Sequence, residues 1–327
     1  MKPRTMITSL AAAVVVLVAA AFAASDPWKA AARYEFEYRV RLADLAPAGR
    51  AARVWIPYPA ENRDQKILSS KIESPWEWRL TREHKFGNRM VYLEGRPEAG
   101  IGDFVMRLEV ERRPSRGVPI SEAPFAGELS PALYGTPDRL VPLAGVIEKI
   151  AIQEGQGRKT EQEKIQAFYD YVYRTMSYSK DGTGWGRGDA IWACTNKRGN
   201  CTDFHSLFIG MLRSQGIPAR FLIGFPIPDG SEGAIGGYHC WAEFYDAKRG
   251  WLPVDASEAK KKGLKEAYFG SLPNDRIEFS IGRDVVLVPK QKGEPLNYFI
   301  YPYAEVDGRA AEPKAEFHFK RREEKSL

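Results

Sequence analysis

The amino-acid sequence predicts an α+β protein with a β-rich N-terminal region. The stretch YEFEYRVRL, residues 34–42, alternates apolar and polar side chains around a row of aromatic residues, which is typical of a strand with one buried face. Apolar residues at helical spacing follow in the middle of the chain, and strand-like runs return after residue 275. Because strands and helices come in separate blocks, we expect antiparallel sheets with helices packed against them.

The N-terminal region, residues 30–115, is predicted to form a β-sandwich-like domain. Further alternating runs at residues 53–56, 90–93 and 104–111 are separated by turns that contain proline and glycine. The aromatic segments WIPYP, residues 55–59, and SPWEW, residues 74–78, could form a carbohydrate or peptide platform. Packing in the core of the sandwich is the commoner use of such residues, and we expect it here.

The middle of the chain, residues 136–275, is predicted to hold the helices. Asp138 is expected to cap a first helix that carries apolar residues at positions 140, 143, 147 and 150. Thr160 and Glu163 have capping-box spacing and predict the start of a second helix. Strand-like runs at 277–281, 285–288, 298–303 and 315–319 predict a C-terminal β-rich extension, residues 276–327.

The first 23 residues are predicted to be a signal peptide. Lys2 and Arg4 precede an uncharged run at residues 6–22, and Ala21-Phe22-Ala23 has the small-x-small form of a cleavage site. An uncleaved anchor is the competing interpretation, because the run is near the lower length limit for crossing a bilayer. We expect cleavage after Ala23 and an exported protein, periplasmic or secreted, that meets a membrane only if this segment is retained.

Composition excludes some classes of protein. Hydrophobic residues make up 44% of the 327 residues, which is enough for a globular core, so disorder is not expected. The net charge of +6 is modest, and no basic stripe with interleaved aromatic residues is present, so we expect no nucleic-acid binding. The chain has three cysteines. In an oxidising compartment this odd number leaves one thiol free, unless the protein dimerises through it.

Cys201 is the first candidate site residue. The stretch GNCTDFHSLFIGMLRSQGIPARF, residues 199–221, has apolar residues at 204, 207, 208, 211 and 212, which is one face of a helix that ends near Gly216. Cys201 then lies in or just before the first turn, where unpaired backbone N–H groups and the helix dipole favour an anion. A thiol in that position has a lowered pKa and is partly thiolate near neutral pH.

A thiolate nucleophile needs a base and a group that orients the base, and His239 and Asp255 are the candidates. The stretch GYHCWAEFYDAKRGWLPVDASE, residues 237–258, predicts two strands joined by a short loop. If Tyr245 pairs with Trp251, Asp255 lies opposite Trp241, on the same face as His239 and within side-chain reach of it. A carboxylate so placed can hold the far nitrogen of the imidazole.

These three blocks resemble the signature blocks of the transglutaminase-like superfamily. In that family a Cys opens a helix closed by a GIPAR turn, a His starts the next strand, and an Asp ends the strand after that; the same order and the words GIPAR and W-x-P-V-D occur here, over about residues 185–260. The resemblance implies a papain-like α+β fold like that of exported bacterial members. It also implies a triad of Cys201 as nucleophile, His239 as general base and acid, and Asp255 as orienting carboxylate. Cys240 is a departure, because the family more often has a small or apolar residue there.

The resemblance also suggests how an oxyanion would be stabilised. The backbone N–H of Cys201 is the expected first donor, and the family often adds an aromatic N–H from upstream, for which Trp185 and Trp192 are equal candidates. His205, one turn after Cys201, is expected to pack beside the thiol and support it. Asp203 is expected to support the helix N-terminus.

The cysteines and histidines are also compatible with other chemistries. Cys194 could form a disulfide with Cys240, which leaves Cys201 free, or with Cys201, which would inactivate it. The cysteines together with His205 and His239 include enough ligand types for zinc, but paired ligand spacing is lacking and neighbouring strand residues point to opposite faces. The glycine-rich residues 182–188 lack the ending of a phosphate loop and are expected to be a flexible rim. We expect no metal and no cofactor.

The expected function is that of an exported thiol enzyme acting on amide bonds through a thioester intermediate. A cysteine peptidase or amidase on a peptide or protein substrate, such as a cell-wall peptide, is the preferred form. The alternatives are a protein-glutamine acyltransferase that forms cross-links and a non-catalytic binding or assembly protein with the same fold. The substrate class rests on analogy with the family.

Overall fold

The computed structural model describes residues 26–45, 49–59, 61–98, 100–117 and 130–322. The predicted signal peptide, residues 1–23, lies outside the described residues, so its cleavage stays a prediction. No helix in the described ranges is both long and apolar enough to cross a membrane.

The structure is α+β, as predicted, with few helices and mostly antiparallel sheets. The described residues form five α-helices, which are α1 (Val146–Gly155), α2 (Glu161–Thr175), α3 (Ala190–Asn196), α4 (Cys201–Ser214) and α5 (Ala256–Lys262). A short 3₁₀ helix, Pro131–Gly135, precedes them. The strands, in chain order, are β1 (Ala32–Val40), β2 (Ala52–Tyr58), β3 (Gln65–Glu73), β4 (Trp78–Arg82), β5 (Arg89–Gly95), β6 (Phe104–Arg112), β7 (Ser115–Arg116), β8 (Ser177–Tyr178), β9 (Arg198–Gly199), β10 (Ala219–Pro226), β11 (Glu232–Ala234), β12 (His239–Asp246), β13 (Gly250–Val254), β14 (Ser271–Leu272), β15 (Arg276–Ile281), β16 (Tyr303–Val306), β17 (Arg309–Ala311) and β18 (Ala315–Arg322).

Two five-stranded sheets contain strands from both ends of the chain. Their strand orders are β11-β18-β1-β6-β3 and β17-β16-β2-β5-β4. Strand β18 pairs with β1 along its whole length, from Arg33↔Arg322 to Val40↔Ala315. The segments before residue 116 and after residue 302 therefore share their sheets, although the predicted domain boundaries themselves stay a prediction.

A third sheet, the central sheet, has the order β13-β12-β10-β15 and packs against α4. Helix α4 is buried from Cys201 to Arg213, on all of its faces rather than on the one face that its apolar stripe predicts. Gly210 lies where an added Cβ would come within 3.2 Å of the side chains of Val141 and Ile147, so a small residue lets α1 and its preceding segment approach closely. Each fully buried apolar side chain such as Phe208 stabilises the fold by about 1.5–3 kcal/mol.

The predicted start of the second helix is confirmed, and that of the first is wrong. Thr160 and Glu163 form the expected capping box at the start of α2. Helix α1 begins only at Val146, and Asp138 caps nothing. Its carboxylate instead accepts a hydrogen bond from Arg213 Nη1 at 2.7 Å, and both side chains are buried. A buried guanidinium requires a carboxylate partner. Because Arg213 lies near the C-terminal end of α4, the sequence around Asp138 gives no sign of this ion pair.

Two of the predicted C-terminal strands are not formed. Residues 285–288 make only an isolated bridge, Val285↔Leu296, and the run at 298–303 overlaps β16 only at its last residue, Tyr303. Leu287, Phe299 and Ile300 are fully buried in irregular chain, so their apolar character reflects core packing and not strand alternation. Of the tryptophans in the two aromatic segments, Trp55 and Trp76 are buried, as expected. Trp78 is 43% exposed.

Glu278 on β15 connects the central sheet to the N-terminal region. The side chain of Gln65 hydrogen-bonds both to the Glu278 backbone N–H and to its C=O, each at 2.8 Å, and Asn62 Nδ2 donates to the Glu278 carboxylate at 2.9 Å. Burial raises the pKa of Glu278 to about 7; Arg112 opposes the rise and Glu243 adds to it. A carboxyl group that loses its proton only near neutral pH therefore lies at this junction.

Candidate active site

The candidate site is built around the first residue of α4. Asn200 is the N-cap, and its side chain accepts a hydrogen bond from Thr202 N at 2.9 Å, while Asp203 Oδ2 accepts one from Asn200 N at 3.0 Å. Cys201 is thereby fixed at the first helical position, where the free N–H groups and the positive end of the helix dipole lie. The Cys201 side chain is nearly buried, with 3% of the residue exposed.

Asp203 also ties the glycine-rich segment to this helix start. Its carboxylate accepts hydrogen bonds from Gly186 N at 2.7 Å and Gly188 N at 3.0 Å. Gly199, with φ +146°, lies directly behind it, and a Cβ there would come within 2.3 Å of Asp203 Oδ2. Residues 186–188 are therefore held against the N-terminus of α4, and these hydrogen bonds occupy the Asp203 carboxylate.

The imidazole and the carboxylate are brought together by the β12–β13 hairpin. Tyr245 pairs with Trp251, which is the register assumed in the sequence analysis. His239 is the first residue of β12, and Asp255 follows β13 as the N-cap of α5. His239 Nε2 and Asp255 Oδ2 lie 2.6 Å apart, and both residues are buried.

Asp255 is held by three further donors, which the sequence did not indicate. Ser257 Oγ and Glu258 N each donate to Asp255 Oδ1 at 2.9 Å, and Arg276 Nη1 donates to Oδ2 at 2.9 Å. Burial would raise the pKa of Asp255, but the charges of His239 and Arg276 outweigh it and hold the pKa well below its usual range. A permanently ionised carboxylate thus faces one nitrogen of the imidazole.

Cys201 lies against the other side of that imidazole. Because Asp255 occupies Nε2, Nδ1 is the nitrogen left for the thiol. Burial would raise the pKa of Cys201, but hydrogen bonds from Cys240 and His239 and the charge of His239 lower it well below the usual thiol value. Burial would likewise lower the pKa of His239, yet Asp255 and the bond to Cys201 raise it to about 10. The pair therefore favours thiolate and imidazolium at neutral pH.

His205 joins the helix to the turn that holds Asp255. Its Nε2 accepts a hydrogen bond from Ala256 N at 3.2 Å, so the ring proton is on Nδ1. Burial lowers the pKa of His205, so it is neutral, and its 3.5 Å approach to Asp255 Oδ1 is no ion pair. The Nδ1 atom lies 3.6 Å from Cys240 Sγ.

The two tryptophans proposed as oxyanion donors lie in the segment before α4. The Trp185 indole N–H donates to Gly182 O at 3.0 Å, so it is engaged within its own loop. Trp192, on α3, packs its indole against Gly184, where a Cβ would come within 2.4 Å of Nε1. Tyr238, which the sequence analysis did not select, has its hydroxyl 2.9 Å from Thr202 Oγ1 and 3.0 Å from Asn200 Nδ2. The only feature of the sequence that could have indicated Tyr238 as a site residue is its position directly before His239.

A cavity of about 180 Å³ opens beside His239. Its wall is built by the end of β10, by α5 and by the start of β15, with Pro226, Ile227, Pro228, Asp229, Glu258, Lys262, Asp275 and Arg276 as the other lining residues. Lys262 is shared between Glu258 and Asp275, at 3.4 and 3.9 Å. The cavity is therefore polar, and one edge of the imidazole faces it.

The chain is similar to a known family, to a curated relative and to a solved structure. Residues 149–256 match the model of the transglutaminase-like superfamily. An uncharacterised protein of Haemophilus influenzae is 26% identical over 84% of this chain and 86% of its own length. The crystal structure of a candidate cysteine protease from Cytophaga hutchinsonii has the same fold, with a TM-score of 0.61 at 17% identity, over 91% of this chain and 93% of that one. The stretch that matches the transglutaminase-like superfamily model, residues 149–256, therefore includes Cys201, His239 and Asp255.

Proposed function

We propose that this protein is an exported cysteine-dependent enzyme that cleaves amide bonds, with Cys201, His239 and Asp255 as its catalytic triad. The observation that carries the proposal is the 2.6 Å contact between His239 Nε2 and Asp255 Oδ2, with Cys201 at a helix N-terminus against the same imidazole. Nucleophile, base and orienting group are the three parts that thiol-based acyl transfer requires.

In the proposed reaction the Cys201 thiolate attacks the amide carbonyl carbon and forms a tetrahedral oxyanion. The backbone N–H of Cys201 is the first donor to that oxyanion. The indole N–H of Trp192 would supply the second, or that of Trp185 if it gives up its bond to Gly182 O. The His239 imidazolium gives its proton to the leaving amine as the C–N bond breaks, which leaves a thioester. Water then attacks the thioester with neutral His239 as base, and the acid and the Cys201 thiolate are released.

The polar cavity beside His239 supports a direction for the substrate. Cys201 does not line this cavity, so the cavity would receive a part of the substrate that extends past the imidazole and not the scissile bond itself. Its mixed lining of Asp229, Lys262 and Asp275 favours a polar peptide over an apolar group. Export, argued from residues 1–23, adds peptides in or near the cell wall as the substrate class, by analogy with the family.

Alkylation of Cys201 tests the proposal. Iodoacetamide, which is small enough for a nearly buried thiol, should label Cys201 rapidly near neutral pH and much more slowly in the His239→Ala variant. Peptide mapping identifies the labelled cysteine, and Cys194→Ser serves as the matched control, because Cys194 lies on α3 outside the triad. Slow labelling that does not respond to His239→Ala would instead indicate a non-catalytic protein with this fold.

Hydrolysis and acyl transfer require a separate measurement. With a glutamine-containing peptide, a hydrolase releases free acid, whereas an acyltransferase incorporates an added primary amine. We expect release of acid to dominate when the amine is present at millimolar concentration. Dominant amine incorporation would assign the protein to the cross-linking alternative.

A further inference from the structure

Cys240 is a second thiol at the candidate site, and the proposed reaction does not use it. It follows His239 on β12, and its Sγ atom lies 3.8 Å from Thr202 Oγ1 and 3.6 Å from His205 Nδ1. Thr202 and His205 are the next residue and the next turn after Cys201 on α4. These two contacts place the Cys240 thiol over the first turn of that helix, beside Cys201, and the Cys240 thiol helps to lower the pKa of Cys201.

The two sulfurs differ in their charge state. Burial raises the pKa of Cys240 well above the usual thiol value, and the hydrogen bond with Cys201 adds to the rise. Cys201 is the thiolate of the pair, and Cys240 is the protonated donor. Both are free thiols, as is Cys194 on α3. A reactive thiolate next to a protonated thiol is the arrangement in which an oxidised sulfur can be captured by its neighbour.

We propose that Cys240 is a resolving cysteine, which captures oxidised Cys201 as a reversible Cys201–Cys240 disulfide and protects it from irreversible oxidation. The inference rests on the proposed function in one respect only, the reactivity of the Cys201 thiolate. It adds a modification site, with hydrogen peroxide as the class of oxidant and a small dithiol as the reductant.

The steps balance with peroxide as the oxidant. The Cys201 thiolate attacks one peroxide oxygen; an S–O bond forms, the O–O bond breaks, and the departing hydroxide takes the proton of the His239 imidazolium to become water. The Cys240 sulfur then attacks the Cys201 sulfenic acid; the S–S bond forms, the S–O bond breaks, and the Cys240 proton leaves with that oxygen as a second water. The two sulfurs together supply the two electrons that reduce the peroxide.

The position of Cys240 lets it react with the oxidised Cys201 sulfur before a second peroxide molecule does. A second oxidant molecule must enter a site in which Cys201 is 3% exposed, whereas Cys240 already lies over the helical turn that carries the sulfur to be attacked. Cys240 itself is fully buried, so it is shielded from direct oxidation. Resolution within the protein should therefore precede formation of the sulfinic acid.

The test is peroxide treatment of the full chain, followed by intact-mass measurement, peptide mapping and reduction with dithiothreitol. We expect wild-type protein to lose two hydrogen atoms, to show a Cys201–Cys240 linked peptide, and to regain all iodoacetamide labelling of Cys201 after reduction. Cys240→Ser should instead gain oxygen atoms on Cys201, and its labelling should stay lost after reduction. Cys194→Ser, the matched control, should behave as wild type does.

Two results would overturn the inference. One is irreversible oxidation of wild-type Cys201 at the same rate as in Cys240→Ser, and the other is a disulfide that contains Cys194. Cys240→Ala is run in parallel, with thermal unfolding of each variant, so that a loss caused by misfolding is recognised. Rapid alkylation of Cys201 without disulfide formation would reject only the resolving role, whereas slow alkylation would reject the proposed enzyme as well.

Discussion

The carboxyl group of Glu278 makes the stability of this protein depend on pH in a direction opposite to that of a salt-bridged acid. Its pKa is about 7 in the folded protein and 4.5 without burial. Between these values the folded state keeps a proton that the unfolded chain has released, so each rise in pH favours unfolding. The stability contributed by this protonation is present below about pH 4.5 and is lost as the pH rises through about 7. At about 1.4 kcal/mol for each pH unit, the loss amounts to about 3 kcal/mol.

The variant Glu278→Gln removes this ionisation and keeps an oxygen for Asn62 Nδ2. We expect its free energy of unfolding to equal that of the wild type near pH 4 and to exceed it by about 3 kcal/mol at pH 8, measured by urea denaturation across that range. Glu77→Gln makes the same change at an exposed residue directly before β4 and should alter stability by less than about 0.5 kcal/mol. A difference in the free energy of unfolding between wild type and Glu278→Gln that does not change with pH would refute the reasoning, because it would mean that Glu278 does not ionise over this pH range.

Three further predictions follow from contacts at the site and beneath it. The rate at which iodoacetamide labels Cys201 should stay high as the pH falls below about 7, because its pKa is lowered, and His239→Ala should move the onset of labelling to higher pH. Asp203→Ala should lower the free energy of unfolding by about 2–3 kcal/mol, since it leaves backbone N–H groups without their acceptor, and Asp203→Asn, which keeps one oxygen, should cost less; urea denaturation compares them. Arg213→Met should cost about 3–5 kcal/mol by the same assay because it strands the buried Asp138 carboxylate, and the double variant with Asp138→Leu should recover much of the loss.

The parts of the site that follow from local patterns could be predicted from the sequence. The apolar stripe after Cys201 predicted the position of the helix, and the assumed pairing of Tyr245 with Trp251, which the structure contains, placed His239 and Asp255 on one face. Neither inference needs information from distant parts of the chain. Arg276 had no such signal, because it reaches Asp255 from β15, which pairs with β10 and not with the hairpin.

The remaining errors have the same origin. Asp138 has the form of a helix cap, and only the buried Arg213, 75 residues later, explains why it is not one. Residues 285–288 have the composition of a strand but lie in irregular core. Side-chain chemistry therefore predicts elements and short-range pairs well, whereas partners brought together by the packing of sheets remain hidden until the fold is known.

The pairing of β1 with β18 has a consequence for how the chain reaches its native state. Arg33 and Arg322 are neighbours in one sheet, so β1 cannot pair with β18 until nearly the whole chain has been synthesised. The pairing of β1 with β18 is therefore a late event in folding. Contacts between residues so distant in sequence also slow folding. A nascent chain that ends before residue 315 has an open edge on β1, where the backbone donors and acceptors that face β18 are unpaired. Such a chain completes this sheet only when its last strand is present.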